Sequence, residues 1–198
     1  LESPHMDQGH PGAVRVHATF TVSTNKLVVR YEALLLPSSP VPRAAINMTF
    51  HPYWRLAPGV PANEYELWLP RSSRAYADWY ATTPATIPPG SALDFATAFK
   101  KVGGHVDAAF DLDPLSSVAS AAAAADAPVL AVVRTPDHRA KMVVSSRTAT
   151  AVVVYSGTHL GFGGLCVEPS HAPARFHVLT REEPSYEHEI SHEFFFTS

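Results

Sequence analysis

Eighteen prolines are spread through the 198 residues, and each removes a backbone donor and restricts φ, so long helices are disfavoured over most of the chain. Val14, Val16, Ala18, Phe20 and Val22 fall two apart with mostly polar partners between them, the period of a half-buried strand. Asn25-Lys26 reads as a tight turn, and Leu27 to Ala33 resumes as a strand, so this stretch predicts a hairpin. Further strands are expected at Asn47–Phe50, Tyr65–Leu69, Val129–Val133, Lys141–Ser145, Thr150–Tyr155 and Phe194–Phe196. Turn signals separate them at Pro37-Ser38-Ser39-Pro40, Pro58-Gly59, Pro88-Pro89-Gly90 and Gly103-Gly104. Short strands punctuated in this way predict an all-β chain folded as an antiparallel β-sandwich. Ser116–Ala127 stands apart: it is mostly alanine and serine, has one charge (Asp126) and has no apolar face. It is expected to be a solvent-side insertion, a frayed helix or a disordered loop, without a function of its own.

With 46% hydrophobic residues the chain has material for one sizeable core, read as a single domain over residues 1–198. The formal net charge is −3 and no Lys/Arg cluster occurs, which argues against a nucleic-acid partner. No apolar run approaches the length needed to span a bilayer. Cys166 is the one cysteine, so no intramolecular disulfide is expected; this fits a reducing, cytoplasmic setting. No secretory signal is seen. The chain starts at Leu1, and Ser3 to Gly12 reads as a genuine loop. The expectation is a domain incomplete at its N-terminus.

Two titratable residues sit at the ends of strand-forming runs: His51, before Pro52, and Glu168, after Leu165-Cys166-Val167. A histidine and a carboxylate that converge are the minimum equipment for two-sided proton transfer. Tyr53 and Trp54, beside His51, offer flat apolar surface with polar handles, suited to the face of a sugar. Read without function, His51 is a buried histidine satisfied by backbone, and Glu168 is a strand-end surface carboxylate. Asp107 could accept two sugar hydroxyls, or belong with Asp111 and Asp113 to a solvated acidic loop. His188-Glu189-Ile190-Ser191-His192 matches the zinc-protease pattern, which works only on a helix. Tyr186 and Phe194-Phe195-Phe196 around it favour a strand, on which the two histidines would stand roughly 13 Å apart. Cys166 lies among apolar residues and reads as core. No phosphate-binding glycine loop or Gly-x-Ser-x-Gly elbow is present.

The joint order of these segments resembles the aldose 1-epimerases (galactose mutarotases). Asn47-Met48-Thr49-Phe50-His51-Pro52-Tyr53-Trp54-Arg55-Leu56 is similar to the family's Asn-Leu-Thr-Asn-His-x-Tyr-Phe/Trp-Asn-Leu. Pro88-Pro89-Gly90 with Leu93-Asp94-Phe95 resembles its Pro-x-Gly then Phe-Asp-Phe region, and His105 to Leu112, aligned on Asp107, its Gly-x-Asp-His-x-Phe-x-Leu stretch. Tyr155-Ser156-Gly157 resembles Tyr-Thr-Gly, Leu165 to Ser170 the glutamate region, and Ser3 to Gly12 the Ser-x-Asp-Gly-x-x-Gly-Tyr-Pro-Gly loop.

The resemblance implies a β-sandwich of the galactose mutarotase type that binds a free hexose without metal or cofactor, as a monomer or homodimer. By position, Glu168 would be the general base and His51 the general acid, with Tyr53 and Asp107 holding sugar hydroxyls. The pattern also departs from the family. The N-terminal part that carries an arginine and a second histidine of the sugar site has no counterpart in this sequence. Val153 stands where a substrate-contacting glutamine is usual, and His10, His105, Ala108 and Ser170 replace other members of the pattern. A sugar-binding relative without catalysis is therefore the alternative reading.

Overall fold

The computed structural model describes residues 1–78, 81–114 and 127–197. The Ala-rich 116–127 segment, except for Ala127, lies outside them. The described residues include fifteen strands and three short 3-10 turns. In chain order the strands are β1 (Glu2–Ser3), β2 (Val14–Val22), β3 (Lys26–Leu35), β4 (Arg43–Ile46), β5 (Glu66–Trp68), β6 (Arg74–Ala75), β7 (Ala85–Thr86) and β8 (Lys100–Lys101). They continue with β9 (Asp107–Asp111), β10 (Val129–Arg134), β11 (Ala140–Ser145), β12 (Ala151–Tyr155), β13 (Cys166–Ser170), β14 (His177–Thr180) and β15 (Ser185–Phe196).

An eight-stranded sheet runs β1-β2-β3-β15-β11-β10-β5-β8, a five-stranded sheet β13-β12-β9-β6-β7, and β14 pairs with β4. Neighbouring strands are antiparallel throughout. The expected hairpin is β2–β3, in register from Val14↔Leu35 to Val22↔Leu27, closed where the Ser23 N–H donates to the Lys26 carbonyl. The core lies between the two large sheets. Val29, Val133, Met142, Val144 and Ile190 from one meet Phe110, Val152, Val154 and Val167 from the other. This is the sandwich that the alternation predicts.

The His-Glu-x-x-His stretch is part of β15, twelve residues long, where His188, Ile190 and His192 are buried and Glu187 and Glu189 exposed. The Phe194–Phe196 strand is the end of the same element. One expected strand is absent: residues 47–50 are irregular, and the strand before them, β4, ends at Ile46. They still run beside β13, but the contacts use side chains. The Asn47 side chain donates to the His171 carbonyl (3.0 Å) and accepts from the His171 N–H (2.9 Å), and the Thr49 hydroxyl donates to the Pro169 carbonyl (2.9 Å). Pro169 has no N–H, so a regular backbone ladder cannot form on this edge of β13.

His188 and His192 have almost no exposed surface. His188 is anchored through Thr148 Oγ1 (2.6 Å) and the Pro169 carbonyl (3.1 Å), whereas both ring nitrogens of His192 lack hydrogen-bond partners. Burial pushes both histidines down to about 4. The fold therefore favours the neutral imidazoles; their contribution is intact above about pH 6.5 and is lost as pH falls toward 4. Urea denaturation at stepped pH should show this decline, on the order of 3 kcal/mol per histidine by pH 4. His192→Leu should flatten part of the decline and stabilise the fold by about 1 kcal/mol at neutral pH, because it removes two unpaired buried nitrogens. An unchanged pH profile in this variant would contradict the assignment.

Candidate active site

Strand register brings the carboxylates to one surface. On β13, Val167 points into the inter-sheet core, so Cys166, Glu168 and Ser170 face the opposite side of the sheet. Their partners on β12 are Tyr155, Val153 and Ala151, whose partners on β9 are in turn Asp107, Ala109 and Asp111. Three cross-strand rows follow: Asp107–Tyr155–Cys166, Ala109–Val153–Glu168 and Asp111–Ala151–Ser170. Neither carboxylate fits its bland reading as a surface or loop residue. Glu168 is the middle residue of a strand and only 4% exposed, and Asp107 opens strand β9 instead of lying in an acidic loop. Asp111, on the same face, is used up structurally by ion pairs to Arg74 and Arg175.

Residues 47–54 form the wall that carries His51. Trp54 and Leu165 exchange both backbone hydrogen bonds (2.9 and 3.0 Å), pinning the segment to the start of β13. Next to this bridge Gly164 allows close backbone approach: a Cβ there would lie 2.8 Å from Tyr53 Cβ and 2.9 Å from its carbonyl carbon. His51 thus hangs over β13, half-exposed at the rim, with Nε2 3.3 Å from Glu168 Oε1 and Nδ1 3.5 Å from Cys166 Sγ. The approach to Glu168 is an ion-pair distance without a directed hydrogen bond, since Oε1 has no hydrogen-bond partner. The Tyr53 ring packs at 5.3 Å from the imidazole. The reading of His51 as a backbone-satisfied core histidine does not hold.

The cleft these parts enclose, about 400 Å³, is lined by Asn47, Thr49, His51, Tyr53, Asp107, Val153, Tyr155, Glu168 and Ser170. All four of the singled-out residues, His51, Tyr53, Asp107 and Glu168, open onto it. Sequence reasoning missed a further group at one end. His159, in the turn after β12, stacks on Tyr155, accepts or donates at 2.6 Å with the Tyr155 hydroxyl and lies 3.5 Å from the Tyr53 hydroxyl. The only sequence hint was a turn bounded by Gly157 and Gly161 directly after the Tyr155 segment.

Glu168 is pushed up to about 7, chiefly by burial, with His51 pulling the other way and Asp107 adding to the rise. That suits a general base working near neutrality. The Cys166 thiol is fully buried and pushed up to about 12, first by burial and then by Glu168, so it is no nucleophile in this state.

The comparisons with known proteins agree with this fold. The sequence profile of aldose 1-epimerase matches residues 1–191. This chain belongs to the aldose 1-epimerase family. Over 87 residues, 44% of the chain and 23% of the relative, it is 32% identical to a galactose mutarotase of Pongo abelii. A GalM/aldose epimerase homologue from C. elegans superposes on the whole chain with a TM-score of 0.79 at 16% identity, over 65% of its own length. A galactose mutarotase-like protein from Lactobacillus casei matches 98% of the chain and 68% of itself, with a TM-score of 0.63 at 11% identity. At these identities the solved structures speak for the fold, which is that of the galactose mutarotases. The chain spans 65% of the first of these structures and 23% of the Pongo abelii relative.

Two measurements probe this site directly. Carbon NMR of labelled glutamate should show Glu168 titrating near 7, with Asp107→Asn lowering the midpoint and His51→Ala raising it; a midpoint in the ordinary carboxylate range would refute the burial argument. Gly164→Ala should lower stability by about 1–3 kcal/mol in urea, because the Tyr53 backbone must move aside.

Proposed function

We propose that this aldose 1-epimerase family member interconverts the α and β anomers of a free hexose by acid–base ring opening and closure. The observation that carries the reading is the pairing of a half-exposed His51 with a buried, proton-hungry Glu168 at 3.3 Å, on the floor of a cleft that also holds Tyr53 and Asp107. The anomeric hydroxyl and the ring oxygen of an aldose are bonded to the same carbon, so a base and an acid this close can address both at once. Glu168 takes the proton of the anomeric hydroxyl while His51, as imidazolium, gives one to the ring oxygen, and the bond from C1 to that oxygen breaks. Rotation about C1–C2 in the open aldehyde presents the other carbonyl face. Reversal of both transfers closes the opposite anomer and restores each residue. Asp107 and the Tyr53 hydroxyl hold sugar hydroxyls, and the aromatic wall of Tyr53, Tyr155 and His159 borders the sugar. No cofactor enters this reaction.

Polarimetry of freshly dissolved α-D-galactose and α-D-glucose tests it. The parent protein should equilibrate one of them faster than buffer. His51→Ala and Glu168→Ala should each lower kcat by roughly 10²- to 10⁴-fold. Asp107→Asn should raise KM more than it lowers kcat, as expected for a hydroxyl-binding group. A flat trace from folded parent protein, with saturable binding of the same sugar, would replace catalysis by the non-catalytic sugar-binding alternative.

A further inference from the structure

We infer that His51, Cys166 and Glu168 form a binding site for a thiophilic divalent cation such as Zn²⁺, and that this ion blocks the cleft. One ligand atom from each lies within 4.8 Å of the others. A tetrahedral zinc centre with bonds of about 2.0–2.3 Å sets its ligand atoms roughly 3.3–3.8 Å apart. The imidazole meets its two neighbours through different nitrogens, Nε2 at 3.3 Å from the carboxylate oxygen and Nδ1 at 3.5 Å from sulfur, and each spacing taken singly is in that range. An ion takes one of the two nitrogens, and turning of the imidazole brings that nitrogen toward both partners.

Three features beyond proximity favour an ion. Cys166 and Glu168 are two apart on one strand face, so the backbone of β13 presets the spacing of the two buried ligands. Glu168 Oε1 is buried, lacks a hydrogen-bond partner and points at the imidazole; a cation would satisfy it. His51 stands half-exposed at the rim and gives the ion a path in from the cleft. The donor set, one sulfur with one nitrogen and one carboxylate oxygen, selects zinc or cadmium over magnesium or calcium. On binding, the thiol proton is released to the solvent and sulfur coordinates as thiolate. Three protein ligands leave the fourth position open toward the cleft. The ion occupies both the proposed acid and the proposed base, so its effect is inhibitory. The His-Glu-x-x-His stretch of β15 takes no part.

Direct titration tests the site without recourse to any activity. Metal-free protein is titrated with Zn²⁺ in a calorimeter, and with Cd²⁺ while the ultraviolet cadmium–thiolate charge-transfer band is recorded. One ion per chain and a saturating band are expected. Cys166→Ser should abolish the band and weaken Zn²⁺ binding at least 10-fold. His51→Ala, at the exposed rim, keeps the test decisive if the buried substitution harms folding: it should weaken Zn²⁺ at least 10-fold and leave the far-ultraviolet spectrum unchanged. Absence of the cadmium band in the parent, or zinc affinity indifferent to both substitutions because other histidines bind it, would overturn the site. If the parent also proves to be an epimerase, Zn²⁺ should inhibit it at the concentrations that fill the site; inhibition without Cys166-dependent binding would equally sink the inference.

Discussion

The cleft depends on how β13 divides five side chains between two environments. Val167 is given to the inter-sheet core, whereas Cys166, Glu168 and Ser170 face the cleft side of the same sheet. Strand pleating makes that division obligatory: a slip of one residue would send Glu168 into the apolar core and Val167 into the cleft. Pairing of β13 with β12 over five residues holds the register. Pro169 then leaves the outer edge of β13 without a regular ladder, and the space is taken by residues 47–54, tied by side chains and one backbone bridge. That irregular segment is what lets His51 reach across the edge of the sheet to Glu168.

Three effects compete at Glu168, and their order explains its state. Burial disfavours the carboxylate, His51 favours it and Asp107 disfavours it. Burial wins because the residue is almost inaccessible while its one cationic neighbour is half in water, where screening weakens it. The result is a carboxyl poised near 7. An imidazole resting on a buried carboxylate can give up a proton on one side of a substrate while the carboxylate takes one on the other. The arrangement suits reversible proton traffic, since Glu168 is not locked in one protonation state near neutrality.

Much of the architecture was legible from alternation and turn signals alone. The β2–β3 hairpin, the cores of β5, β10, β11 and β12, and the strand nature of the C-terminal histidines all follow from local pattern. Errors fell where the pattern was broken by tertiary pairing. Residues 47–50 look like a strand, yet their ladder fails because the neighbouring strand offers a proline. Glu168 looks like a strand-end carboxylate because no local rule places a charge in the middle of a buried strand. His159 escaped notice because a histidine in a short turn has no signature until Tyr155 is seen stacked on it.

By itself the sequence determined the fold class, the family and the identities of the four residues on which the proposed chemistry rests, because periodicity and motif order are properties of the chain. What only tertiary structure decided is their state and their partners. The proton affinity of Glu168 comes from desolvation, a property of the packed sheet and its covering segment. The contacts of His51 with Cys166 and Glu168 link residues 115 or more positions apart, and local sequence carries no record of such distances.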